Sequence, residues 1–259
     1  MTPLQGSVTP VTAVGVARAL GYLCVAVAGL GLLRYLRRYT QCLLADPYRT
    51  RWRYLAVGIG ATVVYGAAGL VEVVGLLPAR PFRRGATLFV FLFCAIGVRA
   101  VHRSVGGGSL RSDAALRWLG PVGVAGFCAA WWGTHLYAGP RAVATVELLG
   151  LTVATAYTLA HAFGTVRAAE GTSVAAFTRH FVPALLALVA VAVAEHVGTL
   201  VPPAAPVGEG VALVGRVLVA AFLFTTAVAI RQQGGESERM YDPTTWRDDR
   251  LDGPDGTNG

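Results

Sequence analysis

Apolar residues fall in seven long blocks along this chain, at about 11–33, 54–77, 85–101, 118–138, 142–166, 181–201 and 207–230. At a rise of about 1.5 Å per residue, each block covers most or all of a hydrocarbon core about 30 Å thick, the third only just. The pattern predicts an all-α, polytopic membrane protein, a seven-transmembrane-helix bundle. The first block is followed directly by Arg34, Arg37 and Arg38 and is preceded by ten uncharged residues. A cleavable signal peptide has its charge in front, so this block reads as an uncleaved anchor.

Arginine placement sets the expected orientation. The loops 34–53, 99–117 and 167–179 and the segment from 231 hold six, four, two and four arginines. The opposite side holds three in 79–85 and one at Arg141. Sixteen against four predicts an outside N-terminus and a cytoplasmic C-terminus, in a multi-pass protein of the cell membrane. Arg99, at the end of the short third block, is expected to snorkel to the interface. The tail 231–259 is polar and charged and is expected to be disordered.

Composition agrees with a membrane protein: 54% hydrophobic and 14% charged residues. The net charge of +8 does not indicate nucleic acid, because the arginines flank apolar blocks and no nucleic-acid motif accompanies them. All 22 basic residues are arginine. Without lysine the chain cannot form a retinal Schiff base, so its likeness to a seven-helix microbial rhodopsin is one of topology alone. Cys24, Cys42, Cys94 and Cys128 show no paired spacing, and the glycine-rich 105–109 lacks a phosphate-loop pattern and reads as a connector. There is no GxSxG elbow, which argues against serine-hydrolase chemistry, and the tail is too short for a kinase or other output domain, so a non-enzyme is favoured with an enzyme left open.

Ionisable residues inside the blocks locate a candidate site. Counting from the outer ends, Arg18, Glu72, His135, Glu147, Glu195, His196 and Arg216 all fall roughly 5–12 Å below the outer boundary. Charges are costly in hydrocarbon and face the bundle interior. Helical phase groups Arg18 with Tyr22, Val25 and Gly29, and Glu72 with Ala61, Tyr65 and Ala68. It likewise groups His135 with Val124, Cys128 and Trp131, Glu147 with Gly150, Ala154, Thr158 and His161, and Arg216 with Glu209. Trp131, Trp132 and Tyr137 read as an interfacial aromatic belt. One inward polar chamber satisfies all of these placements.

Three chemistries fit such a chamber. In a receptor-like or sensor-like protein it binds a small polar ligand, proton or ion, with the arginines as anion partners, the glutamates facing protons or cations, and the histidines as titrating switches. Output then passes to a cytoplasmic signalling partner. In a metal-dependent intramembrane enzyme, Glu72, His135, Glu147, Glu195 and His196 supply donors for zinc or iron, although no HExxH occurs. The third follows from His102, His135, His161 and His196, which end four consecutive blocks on alternating sides. This resembles the histidine arrangement of cytochrome b561-like dihaem proteins. The resemblance covers four residues and a topology across 85–201, and implies b-type haem on His102/His161 and on His135/His196.

Overall fold

The computed structural model describes residues 13–43, 46–105 and 114–241, and these are almost entirely helical. The seven helices are α1 (Ala13–Leu43), α2 (Asp46–Val74), α3 (Arg80–Ser104), α4 (Ala114–Tyr137), α5 (Pro140–Ala168), α6 (Ser173–Leu200) and α7 (Ala205–Tyr241). A single 3-10 turn, Pro202–Ala204, joins the last two. Among the described residues six helices are long and apolar enough to cross a membrane; α4 is not one of them. The all-α expectation therefore holds, with six such helices where the apolar blocks suggest seven.

Boundaries shift in three places that bear on the site. Pro81 in the first turn needs no partner for its missing N–H, so α3 starts at Arg80, a turn earlier than the apolar block at 85. Arg83 and Arg84, expected in a loop, are thereby carried into the bundle. α1 runs on through Arg34–Arg38 to Leu43, taking Cys42 out of the expected loop. α7 likewise continues past 230 to Tyr241, so the segment expected to be disordered begins as helix. The rest of that tail, the residues before 13, and most of the 105–109 connector lie outside the described residues.

The packing is a closed ring. α1 packs on α2, α2 on α3, α3 on α5, α5 on α6, α6 on α7, and α7 back on α1. α4 is held against α5 and stands outside the ring. Each ring helix turns an apolar stripe outward, as on α1, where Val16, Leu20, Leu23, Val27 and Leu30 are exposed. Across the ring, exposed aliphatic surface of this extent needs a lipid cover. Tyr22, Val25, Leu32 and Leu36 on the other side of α1 are buried.

Without a hydrophobic drive between helices in lipid, close approach depends on small residues. A Cβ on Gly69 would lie 2.3 Å from the Tyr22 ring, and one on Gly66 would lie 2.7 Å from the Tyr22 carbonyl. Glycines at these positions let α1 lie directly on α2 and seat Tyr22 inside the ring. The interior then divides. Toward the end where α2 begins it is apolar, with Trp52 edge-on to Phe177 at 5.1 Å and Leu55, Val98 and Phe181 beside them. Toward the end where α1, α3, α5 and α7 begin it is polar.

Candidate functional site

Every helix of the ring sends a polar side chain into that polar end, and the centre of the layer is Glu195 on α6. Its Oε1 accepts hydrogen bonds from Tyr65 Oη of α2 at 2.9 Å and from Arg216 Nη2 of α7 at 2.9 Å, and a longer one from Tyr22 Oη of α1 at 3.3 Å. Its Oε2 pairs with Arg83 of α3, whose Nε also donates to Glu72 Oε2 at 2.8 Å. Arg216 lies over the Tyr22 ring, 4.3 Å from its centroid, and its Nε donates to Tyr65 Oη at 3.5 Å. Two arginines, two carboxylates and two phenols thus satisfy one another in the middle of the bundle. Buried charges are tolerated on this condition of pairing and full hydrogen bonding. One donor is left over: Arg216 Nη1 is buried and bonded to nothing.

The next residue along α6 serves a different neighbour, because consecutive helical positions point about 100° apart. His196 faces α5. Its Nε2 lies 2.5 Å from Glu147 Oε2, and its Nδ1 lies 2.6 Å from the Ala192 carbonyl one turn back. Glu147 Oε1 accepts from Trp131 Nε1 of α4 at 2.9 Å, which ties the outlying helix to the ring. Arg84 of α3 approaches the same carboxylate more loosely, at 3.8 Å. Glu147 and His196 are both buried.

A third pair, Arg18 with Glu209, joins α1 to α7 at the rim, with side chains 42% and 39% exposed. His135 stacks on Trp131 at 5.0 Å and has a buried Nδ1 with no hydrogen-bond partner. His135, Arg80, Arg84 and Thr199, with Pro81, Pro140 and Val143, line a recess of about 270 Å³ that opens beside the Glu147–His196 pair. No carboxylate is among the residues lining it.

The seven residues singled out from sequence therefore fall in adjoining clusters instead of a single chamber. Glu72, Glu195 and Arg216 meet at the centre, Glu147 and His196 meet on the α5 side, Arg18 is spent at the rim, and His135 lines the recess. Sequence reasoning missed Arg80, Arg83 and Arg84, although Arg83 bridges two of the predicted carboxylates and Arg80 and Arg84 line the recess. The Ala79–Arg80–Pro81 start signal could have found them.

These positions bear directly on the metal and haem alternatives. Among the described residues no group of three or more histidine, cysteine, aspartate or glutamate side chains is placed to hold a metal ion. Each carboxylate of the layer already faces an arginine. His196 engages both ring nitrogens with protein acceptors, so it offers no axial ligand in this arrangement. His102 and His161 are in ring contact, centroids 5.3 Å apart, with Gly164 so close under His102 that a Cβ there would meet the ring at 2.5 Å. An iron between two imidazoles would set their centroids about 6 Å apart and needs a porphyrin's width of open space. The histidines as packed do not fit two haems.

Compared with known protein families, curated proteins and solved structures, the chain matches none. Any reading of function rests on the site.

Proposed function

We propose that this is a receptor-like or sensor-like protein of the cell membrane that takes a small anion into the recess bounded by Arg80, Arg84 and His135. In this reading α4 is the seventh crossing, the N-terminus is outside, and the recess opens outward, as the arginine distribution requires. The single observation that carries it is the lining of the recess: two arginines and a histidine with an unpartnered nitrogen, and no acid among the residues lining it. A carboxylate or phosphoryl group supplies the acceptors that such a set lacks, and guanidinium groups match both in geometry. The recess adjoins the buried layer through Arg84, which is shared between its wall and Glu147. Occupancy is thereby linked to helices α3, α5 and α6, and an output would pass to a cytoplasmic partner through the cytoplasmic ends of these helices.

The test is thermal unfolding of the detergent-solubilised protein with acetate, phosphate or sulfate against chloride at matched ionic strength. A ligand at a hundred times its Kd stabilises by about 2.7 kcal/mol, and above its Kd the stabilisation grows with the logarithm of concentration. We expect at least one of these anions to raise the melting temperature in proportion to the logarithm of its concentration above its Kd, an effect lost in Arg80→Gln and Arg84→Gln. Shifts that follow ionic strength alone and survive both substitutions would overturn the proposal.

A further inference from the structure

We propose that Glu147 and His196 form a proton-binding site, in which one exchangeable proton is held between Glu147 Oε2 and His196 Nε2. The inference does not depend on anion binding in the recess; it follows from what each nitrogen faces. His196 Nδ1 lies 2.6 Å from the Ala192 carbonyl oxygen, which can only accept, so Nδ1 carries a hydrogen. A neutral imidazole has one N–H, and here it is used up. Nε2 would then be a bare lone pair 2.5 Å from a carboxylate oxygen, two acceptors in repulsive contact. A proton between them removes the conflict. The pair is either imidazolium with carboxylate or neutral imidazole with carboxylic acid, and carries no net charge in either form.

The surroundings match a pair that is neutral when loaded and negative when unloaded. From α4, Trp131 donates to the other carboxylate oxygen, and His135 stacks on that indole. From α3, Arg84 stands at 3.8 Å, too far for a hydrogen bond. On α6 itself, Glu195 is turned to the central cluster, and on α7 Arg216 and Glu209 are bonded to Glu195 and Arg18. Arg84 is therefore the charged group poised to respond. When the proton leaves to water in the recess, Glu147 keeps the negative charge and the lone pairs repel. The two side chains must then separate, and Arg84 can close on the freed carboxylate. Proton occupancy thus sets the contact between α5 and α6.

Nitrogen NMR of 15N-histidine-labelled, full-length protein in lipid tests this, with the His196 signals assigned by their loss in His196→Gln. The pH is raised from acid to strongly alkaline. We expect Nδ1 of His196 to stay protonated throughout while Nε2 undergoes one transition. In Glu147→Gln the amide N–H satisfies Nε2 without a transferable proton. That variant should keep the Nδ1–H form and lack the Nε2 transition. An Nε2 transition that persists at the same pH in Glu147→Gln would overturn the proposal. Should Glu147→Gln fail to fold, the unsubstituted protein decides alone: a bare Nδ1, or an Nε2 without any transition, refutes the site.

Discussion

Removing Arg216 should show how tightly the central cluster is coupled. Arg216→Met keeps most of the side-chain volume and deletes the guanidinium. Lost with it are the 2.9 Å charged hydrogen bond to Glu195 and the cation–π contact on Tyr22 at 4.3 Å. A hydrogen bond to a charged group contributes about 1.5–3 kcal/mol, and a desolvated cation–π contact about 1–2 kcal/mol. The Arg216 side chain is 5% exposed, so solvent screening discounts neither. Chains unfolded within a membrane find substitute partners, which trims such figures. We therefore expect a loss of about 2–4 kcal/mol, toward the lower side of what breaking a buried ion pair costs.

Glu195→Gln alone should cost a similar amount, since it leaves Arg83 with Glu72 only and takes from Arg216 the carboxylate it pairs with. The double variant should be less destabilised than the sum, because Arg83 retains Glu72 and no charge is left unpaired. We expect a coupling of about 1–3 kcal/mol for residues that share a network. Reversible unfolding of the four proteins in mixed micelles, followed by tryptophan fluorescence, closes the cycle. Single variants that each lose less than about 0.5 kcal/mol and combine additively would refute the argument that these charges depend on one another.

Other substitutions test separate parts of the fold. Gly69→Ala puts a methyl within 2.3 Å of the Tyr22 ring and should cost about 1–3 kcal/mol in the same unfolding assay; a neutral result would mean α1 can move off α2 freely. Trp131→Phe removes the indole donor to buried Glu147 and should cost about 1–3 kcal/mol, whereas a neutral result would show that α4 is not tied to the ring through that bond. Arg18→Ala, at the half-exposed rim pair with Glu209, should change stability by less than about 1 kcal/mol; a loss as large as that of Arg216→Met would mean the rim pair belongs to the core network.

The apolar helices and the inward faces of several of them were legible because they depend on hydropathy and helical phase. Tyr22 and Tyr65 were placed on the correct stripes, and both are buried where those stripes point. Partner choice was less accessible. Glu195 and His196 are adjacent in sequence and read as one unit, yet the turn between successive positions sends them to different neighbours. Arg18 shares the depth of Arg216 but begins α1 next to the start of α7, where Glu209 meets it first. The apolar stretch at 85 hid Arg83, because hydropathy marks where lipid begins and not where the helix does. Nothing in the hydropathy of 118–138 indicates that α4 stands outside the ring; that follows from which helices α3 and α5 choose as partners.

Charge balance then limits how the layer can work. Arg18, Arg83, Arg84 and Arg216 are matched by Glu72, Glu147, Glu195 and Glu209, four against four, through the pairs that link them. Arg80 is in none of these pairs and can meet an anion in the recess as it stands, but a second guanidinium is gained only if one is released from a carboxylate or a proton is added there. Arg83 and Arg216 hold Glu195 at hydrogen-bond range, whereas Arg84 meets Glu147 only at 3.8 Å. Arg84 is the cation most easily given up to the recess, and His196 is the neighbour that keeps Glu147 neutralised by sharing a proton when it goes. On this reasoning anion binding favours the loaded Glu147–His196 pair, and an anion that stabilises the protein should lose affinity in a variant whose His196 cannot accept the charge. His196→Gln should weaken the anion-induced melting shift while leaving Arg80 and Arg84 in place, and an unchanged shift would separate the two sites.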